Sequence, residues 1–471
     1  MQASQALKST PRLIFKGSPQ SMIKPTRARQ GVAPSVAASN AQRLRPPQRF
    51  APTMKSAPKQ APDSNSRGPA DSSLRVLLRA GKERSLQRRH PWLYAGAISD
   101  EGLKLIDRLP SGHPVQVCAA SGQFLAWACG SPHSSIRLRV WSFDQQRPPD
   151  ARLIDERIAQ AFARRQSLLA QSNARRMVFG EADGLPGLIV DLYDQQAVVQ
   201  VLSAGADYFR PAIVEAIKAQ GIAAIYERSD AAGAKREGLS GGQAVVLGAE
   251  PAPLIEIREH GLRFLVDVRH GHKTGFYIDQ RDNRALLADL IKGVNAARVL
   301  NCFCYTGGFS LAAWGAGAAE VISIDSSEVA LQQAREQQNL NGFEASRGRW
   351  WEANVFEALG HLQREGERFD LIVLDPPKFA PSAQHVDRAA RAYKEINLKA
   401  LALLRPGGYL LSFSCSGAIS LDLFQKIVAA AVTDAGVDAQ LLRRLAAGVD
   451  HPMSMAHPEG EYLKGLLLQR V

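Results

Sequence analysis

The sequence has little cysteine and no long apolar run. Its five cysteines, at positions 118, 129, 302, 304 and 415, are too few and too scattered for a disulfide framework, which indicates a reducing compartment. No apolar run approaches the ~20 residues that a membrane-spanning helix requires, so an integral membrane protein is excluded. What the sequence does contain, 45% hydrophobic and 22% charged residues in a chain of 471, is typical of several folded domains.

The N-terminal segment lacks acidic residues. Residues 1–62 contain eleven Lys or Arg and no Asp or Glu, so the rest of the chain has a net charge of only +2, against +13 for the whole chain. The case for nucleic-acid binding must therefore come from local motifs. Residues 1–72, rich in Ala, Ser, Pro, Gln and Arg without periodicity, are expected to form a disordered basic tail. An over-extended start and an organellar transit peptide remain open, so the expected location is the cytoplasm, or a plastid or mitochondrion if the segment is a transit peptide.

Short β-type runs broken by glycine and proline follow. Runs such as "HPVQVCAA" and "FLAWACG" predict a small β-barrel over residues 73–152. Near its start, "RAGKERSLQRRHPWLYAGAI" places cations beside flat rings, the combination that phosphate contact and base stacking need, although a solvated charged loop is the alternative. The candidate RNA-binding residues of this stretch are Arg79, Lys82, Arg84, Arg88, Arg89 and Trp92.

The remaining pattern predicts three further units. Residues 153–250 indicate a linker helix and a compact α+β domain, and residues 251–281 a β-hairpin. From residue 282 to 471, short strands that are apolar on both faces alternate with helices. This alternation predicts a doubly wound α/β domain whose ligands bind at the carboxyl ends of the strands.

Three strand-to-helix junctions of the last domain carry candidate site residues. Gly307 and Gly308, in "RVLNCFCYTGGFS", allow a close approach of the backbone to a ligand. Asp325 ends the next strand, where it is placed to accept hydrogen bonds from ribose hydroxyls or, alternatively, to cap the following helix together with Ser326. Asp375 begins a rigid Asp-Pro-Pro turn that projects into the cleft.

Together with "RPGGYLL", these junctions resemble the class I S-adenosylmethionine methyltransferases over residues 282–471. When "RRHPWLYAGAI", "GEADGLPGLIVDLY", "HGHKTGFYIDQRDNR", "SFSCSG" and "HPEGEYLKG" are added, the chain from about residue 74 onward resembles the bacterial 23S rRNA 5-methylcytosine methyltransferases of the large subunit. The resemblance implies an RNA-binding barrel of the PUA type, a central α+β domain and a Rossmann-like methyltransferase domain. It also implies S-adenosyl-L-methionine as cofactor, and carbon 5 of the cytosine at position 1962 of 23S rRNA as target, in the free RNA or in a large-subunit assembly precursor.

Methylation of carbon 5 of cytosine requires a nucleophile. This carbon becomes reactive only after a thiolate adds to carbon 6, so the mechanism implied by the resemblance needs a positioned cysteine. Cys415 matches the family motif and is the candidate nucleophile, although most free cysteines are small buried hydrophobes. Asp375 is then the group that contacts the cytosine edge and helps to protonate it, and Lys378 the cation that lowers the thiol pKa or holds a phosphate.

The resemblance implies further contacts. Tyr277, Asp279, Gln280 and Arg281 are expected to abut the cofactor or the flipped base, with Tyr277 counted among the RNA contacts; a structural hairpin corner is the alternative. The family usually has an aspartate where this chain has Asn354, whose carbonyl oxygen can still accept a hydrogen bond from adenine. The full cofactor-binding set is Tyr305, Thr306, Gly307, Gly308, Asp325, Ser326, Asn354, Val355, Asp375 and Gln280.

The other reactive side chains are expected to be structural. Cys118 and Cys129 fall in predicted barrel strands and Cys302 and Cys304 in the first glycine junction, so core packing or loop lining is expected. No metal site is predicted, because no ligand cluster accompanies the histidines at positions 270 and 272. Ser414 and Ser416 are interpreted as polar neighbours that shape the turn around Cys415, not as nucleophiles.

Two alternative functions remain open at this point. An rRNA guanine methyltransferase, making 2-methylguanine or 7-methylguanine, uses the same scaffold but needs no cysteine. A non-catalytic RNA-binding factor of ribosome assembly would not bind S-adenosylmethionine at all. The sequence also leaves open a homodimer and the identity of the base that removes the carbon-5 proton, and it predicts no membrane partner.

Overall fold

The structure, a computed structural model, describes residues 74–229 and 231–471. The expected disordered tail over residues 1–72 lies outside these residues. The strands form sheets of five, five, two and seven members along the chain. Within the described residues, no helix is long and apolar enough to cross a membrane.

The first sheet has the strand order β1-β3-β4-β5-β2, with β1 parallel to β3 and the other neighbours antiparallel. Ser99 caps the longer of its two helices, because its Oγ accepts a hydrogen bond from the amide of Gly102. The elements are β1 (Arg75–Leu77), α1 (Arg84–Gln87), β2 (Trp92–Tyr94), α2 (Asp100–Arg108), β3 (Pro114–Cys118), β4 (Phe124–Gly130) and β5 (Ile136–Ser142).

The central domain is the α+β unit that the sequence predicts. Its long first helix begins where the carboxylate of Asp150 accepts a hydrogen bond from the amide of Leu153. Its sheet has the order β10-β9-β8-β7-β6. The elements are α3 (Ala151–Arg165), β6 (Ala174–Phe179), β7 (Leu188–Tyr193), β8 (Gln196–Val201), α4 (Ala204–Tyr208), α5 (Arg210–Ala219), β9 (Ala224–Ser229), α6 (Ala231–Arg236) and β10 (Gly242–Leu247).

A two-stranded hairpin leads into the last domain. β11 (Ile255–Glu259) pairs with β12 (Leu262–Val266) in antiparallel register. The segment after β12 ends in a short 3-10 helix, Ile278–Gln280, and continues directly into α7 (Arg281–Lys292).

The last domain is a doubly wound sheet, as the alternation of strands and helices predicts. The strand order is β15-β14-β13-β16-β17-β19-β18; the first five strands are parallel and β19 runs antiparallel to both of its neighbours. The strands are β13 (Arg298–Cys302), β14 (Glu320–Asp325), β15 (Gly348–Glu352), β16 (Phe369–Leu374), β17 (Leu404–Ser414), β18 (Ala439–Leu445) and β19 (Lys464–Arg470). The helices are α8 (Gly308–Gly315), α9 (Glu328–Leu340), α10 (Val355–Arg364), α11 (Val386–Leu403) and α12 (Leu421–Asp434).

Apolar side chains cover both faces of this sheet. Leu300 and Ile372 belong to one hydrophobic cluster, while their neighbours Val299 and Leu371 belong to another. Because successive strand residues point to opposite faces, each buried strand must supply both clusters, which explains its continuous apolar sequence. The expected fold class, an α/β doubly wound domain behind a β domain and an α+β domain, is confirmed.

Candidate active site

A cavity lies at the carboxyl ends of the parallel strands. It encloses about 940 Å³, including its solvent-open mouth. The loops after β13, β14, β16 and β17 supply one wall, and the segment between β12 and α7 supplies the other. The lining residues that matter below are Lys273, Tyr277, Asp279, Gln280, Tyr305, Thr306, Gly308, Asp325, Ser326, Asp375 and Cys415.

The loop after β13 is wound tightly against the sheet. Phe303, Tyr305 and Gly307 all have positive φ angles, and a Cβ on Gly307 would lie 2.5 Å from the Trp350 ring. α8 begins at the next residue, Gly308, which lines the cavity. The N-terminus of this helix therefore faces the cavity, where its free amides favour a polar or anionic ligand group.

Asp325 ends β14 at the cavity. One carboxylate oxygen accepts the amide of Tyr305 at 2.8 Å, and the other accepts the amide of Ser327 at 3.0 Å. The cap of α9 is Ser327, whose side chain accepts the amide of Ala330, so the alternative that Asp325 or Ser326 caps this helix does not hold. Each oxygen of Asp325 keeps a lone pair for a ligand hydroxyl.

Asp375, directly after β16, is held by a chain of amides. The carboxamide of Gln280 donates to Asp375 Oδ2 at 3.0 Å, and the amide of Asn283 donates to Gln280 Oε1 at 2.6 Å. Asn283 also donates to the carbonyl of Ala446. Burial, followed by the negative charge of Asp279, raises the pKa of Asp375 to about 7. Asp375 is therefore poised to give or take a proton near neutral pH.

Cys415 follows the last residue of β17 and is half-buried. Its Sγ lies 3.7 Å from the carbonyl oxygen of Pro376, in the Asp-Pro-Pro turn. Burial, followed by the charge of Asp375, raises the pKa of the Cys415 thiol to about 11, while Lys273 and Lys378 act in the opposite direction. Cys118, Cys129, Cys302 and Cys304 are all buried.

Two lysines that the sequence reasoning did not single out lie at this site. Lys273, from the loop after β12, has a stronger lowering effect on the pKa of Cys415 than Lys378, which is exposed and does not line the cavity. Lys464 is buried and donates to the carbonyl of Ser416 at 2.9 Å. Both lysines lie inside motifs that the resemblance already used, "HGHKTGF" and "EYLKG".

Several predicted site residues lie elsewhere. Asn354 is exposed and caps α10, with its Oδ1 accepting the amide of Phe356 at 2.9 Å, and Val355 is packed in the core. Arg281 is fully buried and forms a two-bond ion pair with Asp450. The sequence reasoning had no sign of this pair, because Asp450 is distant along the chain; Arg281 is a structural residue.

The residues of the predicted RNA-binding stretch have different surroundings in the structure. Trp92 is half-buried: its Nε1 donates to Glu181 at 2.8 Å and its ring contacts His457 edge-on, so it joins the β domain to its neighbours. Arg79 pairs with Asp100 at 2.8 Å. The other four cations are exposed, and they are Lys82, Arg84, Arg88 and Arg89.

The turn around Cys415 is built by polar contacts. Ser414 Oγ donates to the hydroxyl of Tyr393 at 2.9 Å, and Ser416 Oγ accepts the amide of Ala380 at 3.2 Å. These bonds use both serines to hold the turn, in agreement with their interpretation from the sequence. Within residues 74–229 and 231–471, no group of three His, Cys, Asp or Glu side chains is placed to hold a metal ion, near His270 and His272 or elsewhere.

Comparison with known proteins decides the family. Residues 236–451 match the family model of S-adenosylmethionine-dependent methyltransferases, and residues 76–143 match that of PUA-like domains. Ribosomal RNA large subunit methyltransferase I of Erwinia tasmaniensis is 44% identical over 396 residues, which cover 83% of this chain and 98% of that protein. The protein of the same name from Shewanella amazonensis is 46% identical over 398 residues, covering 84% and 99%. The chain belongs to this family.

The fold of this ribosomal RNA large subunit methyltransferase I family member also matches solved structures. A structure described as a SAM-dependent methyltransferase from Streptococcus mutans has a TM-score of 0.70 and 19% identity, covering 84% of this chain and all of that one. A methyltransferase solved in complex with SAH gives the same values. These structures support the fold, while the relatives and the two family models confirm the predicted resemblance, the PUA-like domain and the methyltransferase domain.

The residues of the cavity fit S-adenosylmethionine, the cofactor of the family. A Cβ on Gly307 would collide with the Trp350 ring, so glycine lets the loop lie close to the sheet, and its neighbours Thr306 and Gly308 line the cavity. Asp325 offers carboxylate oxygens at the place where the ribose hydroxyls of such a cofactor bind in this type of fold. This chain is therefore an S-adenosylmethionine-dependent methyltransferase.

Proposed function

We propose that this enzyme methylates carbon 5 of a cytosine in large-subunit rRNA, with Cys415 as the nucleophile. The observation that carries the proposal is the presence of Cys415 and Asp375 in one cavity. The two residues are joined through the Asp-Pro-Pro turn, because the carbonyl of Pro376 accepts a hydrogen bond from the Cys415 thiol. Relatives named for methylation of large-subunit rRNA support the class of substrate. A guanine methyltransferase would attack with a ring or amino nitrogen and would need no thiol in this position.

The first step uses Cys415 and Asp375 together. Cys415 Sγ forms a bond to carbon 6 of the cytosine, the C5=C6 double bond opens, and negative charge develops toward N3. Asp375, whose pKa of about 7 keeps it partly protonated at neutral pH, gives its proton to N3 and prevents that charge from building up. Carbon 5 thereby gains enamine character and becomes a nucleophile.

S-Adenosylmethionine, when bound, supplies the electrophilic methyl group that carbon 5 takes. The chain's own residues then complete the cycle. A base in the cavity accepts the proton of carbon 5, the C5=C6 bond forms again, and the C6–S bond breaks to return Cys415 as a thiolate. The N3 proton returns to Asp375, so both side chains regain their starting state.

Exposed cations support contact with RNA phosphates. Lys82, Arg84, Arg88 and Arg89 lie on the surface of the PUA-like domain. Phosphate contacts by such residues position a nucleic acid without reading its sequence, so the cavity must supply the selection of the base. Relatives named for action on large-subunit rRNA support the cytoplasm as the proposed site of action.

The proposal is tested by mass mapping of rRNA from cells that lack the protein and are complemented with variants. Complementation with the unmodified chain should restore a single 5-methylcytosine in the large-subunit rRNA, and Cys415→Ala should not. Cys118→Ala, which truncates a buried cysteine of the PUA-like domain, is the matched control and should restore the methyl group. Full methylation by Cys415→Ala, or a lost methyl group on a guanine, would contradict the mechanism.

A further inference from the structure

A lysine is buried beside the turn that carries Cys415. Lys464, the first residue of β19, is only 2% exposed and is the one lysine among the buried residues that the structure describes. It stands opposite Ser414 in the pairing of β17 with β19, so it is placed next to the residue that precedes Cys415. Lys464 does not line the cavity and therefore acts from behind it.

Most buried cations of this molecule pair with a carboxylate. Four such pairs have distances of 2.6–2.9 Å, and they are Arg165 with Asp183, Arg176 with Asp191, Arg281 with Asp450, and Arg284 with Glu259. Within residues 74–229 and 231–471, Lys464 and Arg175 are the buried lysine or arginine side chains outside such pairs. A buried charge without a partner is costly, so the place of Lys464 beside the nucleophile requires an explanation.

The hydrogen bond of Lys464 is not needed to satisfy its acceptor. Its Nζ donates to the carbonyl of Ser416 at 2.9 Å. The same carbonyl accepts the amide of Ile419 at 3.1 Å, so it would keep a donor without the lysine. The hydroxyl of Ser416 is held separately, at 3.0 Å from the hydroxyl of Tyr393. What Lys464 adds to the turn is therefore its positive charge, bound one residue after Cys415.

The charges of Lys464 and Cys415 favour each other. Burial lowers the pKa of Lys464, and so does the charge of Lys378, whereas the charges of Glu461, which is exposed, and of the Cys415 thiolate act in the opposite direction. Because coupling between two groups is reciprocal, the ammonium must in turn favour the thiolate. The larger effects on the pKa of Cys415 after burial come from Asp375, Lys273, Lys378 and Asp279.

We propose that Lys464 is a positioning residue for the nucleophile: its ammonium, held on the Ser416 carbonyl behind the cavity, stabilises the thiolate of Cys415 without touching the substrate. The inference rests on the proposed function, which makes Cys415 the nucleophile. A thiolate is required when the sulfur adds to carbon 6, and it forms again when the C6–S bond breaks. A cation outside the cavity supports both steps, since the substrate does not compete for its place.

The test is Lys464→Met, which keeps the length of the side chain and removes its charge. Alkylation of Cys415 by iodoacetamide, followed by peptide mass analysis between pH 7 and 10, should be about three- to tenfold slower at pH 8, with its pH profile moved to higher pH. The value of kcat should fall by a similar factor, while the affinity for S-adenosylmethionine, measured by calorimetry, should stay within about twofold. An unchanged alkylation profile would overturn the inference, with or without a loss of cofactor affinity.

Lys399→Met is the matched control. Lys399 also donates to a backbone carbonyl, that of Phe356 at 2.9 Å, but it lies on α11 and packs against α10. Its removal should leave the alkylation rate of Cys415 and kcat within about twofold of the unmodified enzyme. Equal slowing in Lys399→Met and Lys464→Met would show a general effect of losing a lysine and would overturn the inference.

Lys464→Gln covers the case in which Lys464→Met does not fold. It keeps a donor for the Ser416 carbonyl and removes only the charge, so the same slowing of alkylation is expected. Alkylation as fast as in the unmodified enzyme would overturn the inference. If that happens while methylation of cytosine still requires Cys415, only the inference fails; if Cys415→Ala still methylates cytosine, the proposed function fails, whatever the alkylation rates.

Discussion

At the scale of single residues, the chemistry depends on one proton shared by two groups. The pKa of Cys415 is raised to about 11 and that of Asp375 to about 7, so between these values the pair holds a single proton. With the proton on Asp375, the sulfur is a thiolate and the acid for N3 is in place. The same ionisation state thus contains both groups that the first step requires.

The dependence of the rate on pH follows from this pair. Below pH 7 the pair of Cys415 and Asp375 binds a second proton, so the reactive state, a Cys415 thiolate beside a protonated Asp375, becomes less populated. The value of kcat/KM should therefore fall about tenfold for each pH unit below 7. Above pH 8 the rate should be nearly constant up to the limit of RNA stability. Asp375→Asn should lower the rate roughly 100- to 10,000-fold and abolish the decrease of kcat/KM below pH 7. Initial rates measured between pH 5.5 and 9.5 check this prediction. If the Asp375→Asn rate still decreases in the same way below pH 7, another group is responsible for that decrease.

The effect of the two lysines on the thiol is separable. Lys273→Met should raise the pKa of Cys415 and slow its alkylation by iodoacetamide at pH 8 by about tenfold, since one pKa unit is a tenfold change in thiolate. Lys378→Met is the matched control, because Lys378 has the weaker effect on the same thiol. Peptide mass analysis would follow Cys415. Equal rates for the two variants would show that Lys273 does not govern the thiol.

The sequence predicted residues that end strands better than residues that approach from other elements. Asp325, Asp375 and Cys415 reach the cavity because the ends of parallel strands meet at one edge of a sheet, a rule that needs no coordinates. Lys273 reaches the cavity only through the packing of the segment after β12 against that edge, and Lys464 of β19 supports the turn behind Cys415 through the carbonyl of Ser416. Trp92 has the composition of an RNA contact, but its indole nitrogen donates to the half-buried Glu181, a contact 89 residues away along the chain that no local pattern shows.

At the scale of elements, the segment between β12 and α7 forms a wall of the active site. It is fixed to the central domain by a buried polar network: Thr274 Oγ1 donates to Asp191 Oδ2, and the Tyr193 hydroxyl bonds Thr274 at 2.8 Å. Arg176 neutralises Asp191 through two bonds of 2.8 Å. The central domain therefore holds the loop that presents Lys273 and Asp279 to the cavity.

Loss of this attachment should affect both stability and catalysis. Thr274→Val keeps the shape of the side chain and removes its hydrogen bonds, so unfolding in urea should show a loss of about 1–3 kcal/mol and kcat should fall. Thr433→Val is the control, because Thr433 is exposed on α12 and bonds only within its helix. Its unfolding free energy should change by less than about 0.5 kcal/mol. An unchanged kcat in Thr274→Val would contradict the role of the segment between β12 and α7 in positioning the active-site residues.

The doubly wound sheet was predictable because covered parallel strands have an apolar sequence on both faces, and those faces do carry separate clusters. The segment from Asp267 to Gln280 was predicted as part of a β-hairpin over residues 251–281, whereas the second strand ends at Val266. Its path depends on Asp191 and Tyr193, which lie more than 80 residues earlier along the chain, as the separations of 81 and 83 residues to Thr274 show. No local pattern contains such a contact.

At the scale of the whole molecule, the PUA-like domain is joined to the rest by buried polar contacts. Glu237 of the central domain accepts two hydrogen bonds of 2.8 Å from Arg139 and one of 2.5 Å from Ser134. Trp92 bonds Glu181 and packs on His457 with 4.4 Å between ring centroids. These contacts fix the direction in which the exposed cations of the domain point.

Those cations should contribute affinity without choosing the base. Neutralising two of them, in Arg84→Gln with Arg88→Gln, should weaken binding of an rRNA fragment and reduce the slope of log K against log salt by about one to two. The same change at Lys426 and Arg443, which are exposed on α12 and β18, is the control and should leave the slope unchanged. Filter binding at several salt concentrations would measure both. Equal slopes for the two double variants would place the RNA on another surface.

The most direct test of the central claim is to trap the bond between Cys415 and the target base. An rRNA fragment with 5-fluorocytosine at the target cannot lose the substituent on carbon 5, so the reaction should stop at the covalent stage in the presence of S-adenosylmethionine. Mass analysis of the digested complex should find the modified nucleotide on the peptide that contains Cys415, and no complex should form with Cys415→Ala. A complex that survives this substitution, or methylation of cytosine with no complex at all, would contradict the mechanism.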